Sequence, residues 1–267
     1  MIHVVVNTKG GVGKSTASIQ VLSAYLSLSS GGTGLNFVEI DDENKSVNKF
    51  SQSSILSNAK IVSTEMLDEF IENSVFQIDD LIIDVGGNKT ATMFLNELKK
   101  KGGFLAPATY YIPLLDGDQD AMNAEETFKL IREFDKDSRI IYVLNRAVNK
   151  NNVELLKRQF IFFFGEEVLD IEEVTKDNKT YYVALNNNDV YKIAGKLQKT
   201  IYELSKENHD KEFKEVAELY WEDRNNMEVY KRLRKLQKLK DSANESKELV
   251  RTEYANLFSQ LDDILGA

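Results

Sequence analysis

The run Lys9-Gly10-Gly11-Val12-Gly13-Lys14-Ser15-Thr16 carries the residue types needed to hold a polyphosphate. Its glycines allow a tight turn in which successive backbone N–H groups aim at one anion, and a helix starting near Gly13 adds the positive end of its dipole. Lys14 is placed to reach the β and γ phosphates, and the Ser15 hydroxyl to hold Mg²⁺. The flanks agree, because the apolar stretch Ile2 to Val6 reads as a strand entering the turn and Lys14 to Leu28 as a helix leaving it. The general phosphate-loop pattern opens on glycine; this chain has Thr8 there, followed by an extra lysine, Lys9.

A nucleotide bound to a doubly wound sheet needs carboxylates at the carboxyl ends of neighbouring strands, where the strand order reverses. Two runs meet that requirement. Glu39-Ile40-Asp41-Asp42-Glu43-Asn44 follows the apolar stretch Phe37 to Ile40, and Asp84-Val85-Gly86-Gly87 follows Leu81 to Ile83. Asp84 suits a carboxylate acting on Mg²⁺ through water, with two glycines forming a mobile switch behind it. The simpler role, capping a helix from Thr90, accounts for less of that context.

With its two lysines, the loop resembles the deviant Walker A motif of the ParA/MinD family of ATPases, and most closely that of short ParA-type partition proteins. The resemblance spans about residues 1–205 and implies ATP and Mg²⁺ as ligands, with Gly10, Gly11, Val12, Gly13, Lys14, Ser15 and Thr16 around the phosphates. It implies that Lys9 reaches across a nucleotide-sandwich homodimer to the partner's phosphates. The family's Asp-x-Asp-Pro, aligned without gaps, sets Glu39 on the first aspartate, Asp41 on the second and Asp42 on the proline. Asp41 is then the residue that orients the attacking water, Ser15, Asp84 and Asp41 are the residues at the metal, and Glu39 is the supporting carboxylate. The missing proline implies a looser first switch. Gly86-Gly87 replaces the family's Pro-Pro or Pro-Ala, with Gly87 at the γ-phosphate sensor. Tyr111-Ile112-Pro113-Leu114 and the helix from Asp120 to Phe134 resemble the family's fourth strand and dimer-side helix. In Ile141-Tyr142-Val143-Leu144-Asn145-Arg146, Asn145 matches the residue that hydrogen-bonds the adenine edge, with Arg146 beside it; an asparagine ending a strand is also an ordinary turn former.

Composition narrows the classes. The chain has 267 residues, 42% of them hydrophobic, enough for one large core or a core with an appendage. It has no cysteine, which excludes disulfides and thiolate-held iron–sulfur or zinc sites. A net charge of −9 argues against coating DNA with the whole surface but leaves room for a local basic patch. No apolar run approaches the roughly 18 residues of a membrane span, and the N-terminus enters a strand at once, without a signal segment. The expected location is cytoplasmic, at the nucleoid if DNA is bound, and no helix-turn-helix is expected ahead of the loop.

The apolar runs that must position these residues are Ile2 to Val6, Phe37 to Ile40, Leu81 to Ile83, Tyr110 to Leu115, Ile140 to Leu144, Val168 to Ile171 and Tyr181 to Leu185. Their spacing predicts an α/β fold with a doubly wound, mostly parallel sheet flanked by helices, because strands buried on both faces read as continuous apolar runs. Helices are predicted over Lys14–Leu28, Thr64–Asn73, Thr90–Lys101, Asp120–Phe134, Val153–Phe164 and Asp189–Leu204. Phe160 to Phe164 is β-prone but continues the helical pattern to Gly165. Lys176 to Lys179 predicts a hairpin turn. The nucleotide domain is taken as 1–205 and a helical C-terminal appendage as 206–267, with one stripe at Met227, Tyr230, Leu233, Leu236 and Leu239 and another at Leu249, Tyr254, Leu257, Leu261 and Ile264. These predict an antiparallel helical pair packed on the core.

Lys231 to Lys240 contains no acid, and its leucines leave six cations on the outer faces, suited to a phosphate backbone. Acids elsewhere in the appendage could instead neutralise that face. The last helix carries Asp262 and Asp263 and would not be drawn to an anionic membrane, so no membrane role of the MinD kind is expected. The resulting expectation is an ATPase that partitions a plasmid or chromosome through nucleotide-switched contacts with non-specific DNA and a ParB-like centromere-binding adaptor. A same-fold switch that positions a conjugation, flagellar or division complex is the alternative. An ATP-dependent ligase is a third, for which the chain offers no catalytic cluster beyond the nucleotide site.

Overall fold

The computed structural model describes residues 1–29, 35–42, 46–74 and 79–266. Its strands are β1 (Ile2–Val5), β2 (Asn36–Ile40), β3 (Lys60–Val62), β4 (Leu81–Val85), β5 (Ala108–Leu114), β6 (Arg139–Ala147) and β7 (Thr180–Asn186). They form one seven-stranded sheet in the order β3-β2-β4-β1-β5-β6-β7, with every neighbouring pair parallel. The chain winds outward on one side of β1 through β2 and β3, returns to β4, and then crosses to β5 on the other side. That reversal at β1 is the crevice where the sheet can receive a ligand.

The helices are α1 (Ser23–Ser29), α2 (Leu67–Ser74), α3 (Lys89–Lys101), α4 (Asp118–Arg132), α5 (Val153–Gln159), α6 (Ile161–Phe164), α7 (Val190–Leu197), α8 (Ile201–Ser205), α9 (Asp210–Glu222), α10 (Met227–Leu249) and α11 (Ala255–Leu265). A wide π-helical turn, Thr16–Leu22, leads into α1, and another, Val250–Tyr254, joins α10 to α11. β1, β4 and β5 are buried along their whole length, as strands covered on both faces must be. Side-chain alternation splits the core: Val4, Tyr110 and Ile83 face α3 and α4, while Val5, Tyr111 and Ile82 face the helix after the loop.

Several expectations need correction. Val168–Ile171 is not a strand: Glu167–Leu169 is a short 3₁₀ turn, with Val168 89% and Leu169 63% exposed. Ile171 makes only an isolated antiparallel bridge with Glu166, and β-propensity alone cannot extend that into a strand. The hairpin at Lys176–Lys179 is absent for the same reason, since β7 pairs in parallel with β6. β3 was not anticipated; three residues with one lysine give too little periodicity to read. The helix expected over 189–204 breaks at Gln198, which takes a left-handed φ of 58°, and restarts at Thr200, whose side chain forms a capping box with Glu203. Ile161–Phe164 is helical, but Phe160 leaves helical geometry and separates α5 from α6.

After residue 206, α9 and α10 pair antiparallel: Asp210 meets Lys240 at 2.8 Å, Glu212 meets Arg232 at 2.8 Å, and the Tyr220 and Tyr230 rings lie 5.6 Å apart. Of the first stripe Leu236 is buried and Met227 exposed, whereas Leu249, Tyr254, Leu257 and Leu261 of the second join the core around Ile19 and Val183. Tyr254 donates its hydroxyl to the Gln20 carbonyl at 2.9 Å, and Tyr25 donates to Asp262 at 2.8 Å. The last helix is therefore tied directly to the helix that leaves the glycine-rich loop.

Candidate functional site

The loop between β1 and the first helix turns where Gly11 and Gly13 take φ of 77° and 95°. A Cβ at Gly13 would sit 1.8 Å from Asn145 Nδ2, so no other residue fits there. The loop is fastened at its start. Asn7 donates from Nδ2 to the Pro113 carbonyl at 2.7 Å and accepts from the Lys9 amide at 2.7 Å. The Thr8 amide donates to Thr127 Oγ1 at 3.1 Å, and its hydroxyl lies 3.3 Å from that same oxygen. Threonine thus replaces the usual first glycine at a point where its side chain anchors the loop to α4.

Lys14 is buried, and its ammonium donates to the carbonyls of Lys9 at 2.8 Å and Asn7 at 3.3 Å. Burial lowers its pKa, while Asp84 and Asp41 pull it back up. Asp84 ends β4 next to Val5 of β1 and is fully enclosed. Burial pushes its carboxyl up to about 7, against the Ser15 hydroxyl beside it, with Glu39 adding to the rise and Lys14 opposing it. One of its oxygens, Oδ2, has no hydrogen-bond partner. A buried carboxylate oxygen left without a donor, next to a serine hydroxyl, fits a hard cation with oxygen ligands. Among the described residues no group of three or more His, Cys, Asp and Glu could hold a metal alone. Mg²⁺ bound through one carboxylate, one hydroxyl and substrate phosphates matches that scarcity of protein ligands.

The acidic run after β2 divides its work. Glu39 is buried and accepts from the amides of Ser46 at 2.6 Å and Val47 at 3.0 Å, so it starts the 3₁₀ turn Ser46–Phe50. Burial raises its pKa, with those amides opposing the shift. Asp42 accepts from the Thr64 amide at 2.9 Å and its hydroxyl at 2.5 Å, pinning the segment ahead of α2. Asp41 turns its carboxylate over the turn after β4: a Cβ on Gly86 would lie 2.9 Å from it. Glu43 and Asn44 lie outside the described residues. Gly87 packs on the loop itself, where a Cβ would come within 2.8 Å of Gly10 Cα and 3.3 Å of Lys14 Nζ. Glycine at 86 and 87 is what lets the turn after β4, Asp41 and the glycine-rich loop close on one cleft.

That cleft, about 370 Å³, brings together Gly10, Gly11, Gly13, Lys14, Ser15 and Thr16 with Glu39, Asp41, Asp84 and Gly87. Its size and its converging polar groups suit a polyphosphate. Val12, Lys9, Asn145 and Arg146 do not line it. Asn145 lies behind the loop, donating to the Val12 carbonyl at 2.9 Å and accepting from the Arg146 amide at 2.9 Å. Arg146 is exposed, with a left-handed φ of 60°. Lys9 turns away from the cleft to pair with Asp120 of α4 at 3.0 Å. Ser46, Asn88, Lys89 and Thr90 line the cleft without having been singled out from sequence; an Asn-Lys-Thr run directly after two glycines was the available signal, since it places an amide, a cation and a hydroxyl at the start of α3.

No protein-family model matches the chain, and no curated protein matches it by sequence. Among solved structures it is similar to a protein of Borrelia burgdorferi B31 assigned to plasmid partition and bound to AMPPNP, with 14% identity, a TM-score of 0.47, and coverage of 71% of this chain and 88% of that one.

Proposed function

We propose that this cleft binds Mg·ATP and that the protein is a ParA-like ATPase, which dimerises around two nucleotides and partitions a plasmid or chromosome segment. The observation that carries the reading is the orphaned Asp84 oxygen beside Ser15 and Lys14 in a loop with a second lysine. Backbone amides of Gly10 to Lys14 cradle phosphate oxygens, and Lys14 leaves the loop carbonyls for the β and γ phosphates. Ser15 and Asp84 hold Mg²⁺, which supplies neutralisation of phosphate charge. Asp41, whose carboxylate lies over Gly86, orients the attacking water, while Glu39 keeps the Ser46–Phe50 turn in place behind it.

Lys9 acts across the dimer in this reading. To do so it must leave Asp120, a partly buried ion pair. Lys9→Ala is expected to keep nucleotide binding by the monomer and lose ATP-dependent dimerisation, and Asp120→Asn to favour the dimer several-fold by releasing Lys9. Sedimentation with ATP checks both; ATP-driven dimers of Lys9→Ala with unaltered turnover would remove the trans role.

DNA is the partner that the basic face of α10 supports. Arg232 and Lys240 are paired with acids of α9, but Arg234, Lys235 and Lys238 are exposed and make no ion pair among the described residues. Two such faces in one dimer contact more phosphates than one, so affinity should rise with ATP and fall steeply with salt. Changing these three residues to Glu is expected to weaken duplex binding by at least about 100-fold and leave nucleotide binding intact. The test is a fluorescence titration with DNA and the ATPase rate with and without it. A wild type that ignores DNA with ATP at low salt sinks the partition reading. The positioning switch, favoured by the partial neutralisation of α10, then replaces it. A ParB-like adaptor that stimulates hydrolysis completes the partition reading.

A further inference from the structure

β7 is the last strand of the sheet, and among the described residues nothing pairs with its outer side. The carbonyl of Lys179 accepts from Ile140 of β6 at 3.1 Å, and the amide of Asn187 donates to Ala147 at 3.0 Å. Backbone groups alternate sides along a strand, so the odd-numbered residues between them face β6. The N–H and C=O of Tyr182 and Ala184 therefore point outward. Exposed edges are normally blunted by brevity, lysine or proline. The opposite edge follows that rule, since β3 is three residues long and opens on Lys60. β7 does not: Thr180–Asn186 is seven residues, uncharged and rich in aromatic and branched side chains, and Tyr182 is 41% exposed.

The outer edge of β7 forms the floor of a groove of about 670 Å³, walled by α5 through Val153 and Leu156 and by α11 through Leu257 and Ile264. Tyr182 leans to the α6 side, with its ring 5.2 Å from that of Phe164, while Val183 shares the core with Leu257. Each wall offers apolar side chains next to the strand, with Asn256 and Gln260 of α11 as polar neighbours, so a strand laid in this groove meets apolar surface on both of its faces. Lys150 at the rim is paired with Glu253 at 3.4 Å, and Asp263 makes no ion pair among the described residues. The uncompensated rim charge is negative.

We propose that this groove binds an extended segment of a partner protein, which adds as an eighth strand beside β7. Its chemistry is four or five β-branched or aromatic residues flanked by lysine or arginine to meet Asp263. A second copy of this chain fits less well, because helices on both faces, each about 10–12 Å across, line the edge, whereas neighbouring strands must approach to about 4.8 Å. The site is independent of the nucleotide cleft.

The test is a selection of displayed random heptapeptides on the full chain, followed by titration of the selected peptides in synthetic form. Selected peptides are expected to be β-prone with a basic flank, to slow exchange of the Tyr182 and Ala184 amides, and to lose at least 10-fold in affinity on N-methylation of alternate peptide bonds. Ala184→Pro removes only an outward N–H, so the ladder to β6 stays intact; it should weaken binding at least 10-fold at an unchanged melting temperature. Should that variant not fold, Asp263→Lys gives the same readout for the basic flank. A selection without binders, or binders indifferent to N-methylation and to both substitutions, overturns the proposal. So does a wild-type dimer, without nucleotide, that Ala184→Pro converts to monomer, since the edge would then belong to a second copy.

Discussion

Replacing Lys14 by alanine is expected to lower affinity for ATP by at least about 100-fold while leaving the fold intact. The ammonium is already inside the loop, 2.8 Å from the Lys9 carbonyl, so binding needs only a change of partner from carbonyls to phosphates. Charge-assisted hydrogen bonds of this kind contribute about 1.5–3 kcal/mol each, and one lysine bridging two phosphates makes two. Structurally the lysine contributes less, because only two loop carbonyls lose a donor. Titration with a fluorescent ATP analogue, read with a melting curve of the same sample, checks both halves. Unchanged affinity in a folded variant would remove Lys14, and with it the phosphate assignment of the loop.

Asp84→Asn is expected to stabilise the nucleotide-free protein at alkaline pH and to abolish the stabilisation that Mg·ATP confers. The folded-state pKa is raised from 3.8 to about 7. Between those values the unfolded carboxyl has lost its proton while the folded one keeps it, so the stability this provides is complete below pH 3.8 and is lost as pH rises through 7. The gap corresponds to roughly 4 kcal/mol at most. Asparagine carries no charge to bury, so at pH 8 the variant should melt several degrees above wild type and the difference should close towards pH 4. Added Mg·ATP should raise the melting temperature of wild type alone. Parallel pH curves for the two proteins, or equal responses to Mg·ATP, would show that Asp84 is neither strained by burial nor a metal ligand. Such a carboxylate is a cost to the fold that Ser15, Ser18 and Lys14 offset only in part.

The parts of this protein that sequence alone determined are those governed by short-range rules. Gly11 and Gly13 are glycines because the turn needs positive φ, and Lys14 and Ser15 follow at the start of a helix, so the glycine-rich loop is legible from eight residues. The parallel sheet was legible because β1, β4 and β5 are covered on both faces and read as unbroken apolar runs. Asp84 could be found as an acid at the end of one such run. Tertiary structure decided the rest, because it depends on which distant segments meet. Val168–Ile171 has the propensity of a strand but makes only an isolated antiparallel bridge, Ile171 with Glu166, whereas β3 is only three residues long and pairs with β2. By residue type Glu39, Asp41 and Asp42 are alike, and in sequence only the family resemblance tells them apart. In the structure amides at Ser46 and Thr64 claim the first and last, while Gly86 lets Asp41 lie over the cleft. Lys9 reads as a cation of the loop, yet its partner Asp120 lies 111 positions away across the β1–β5 pairing. The open edge at β7 is likewise invisible in Thr180–Asn186 itself. A strand becomes an edge only through the order of the sheet, and that order is set by how the whole chain packs.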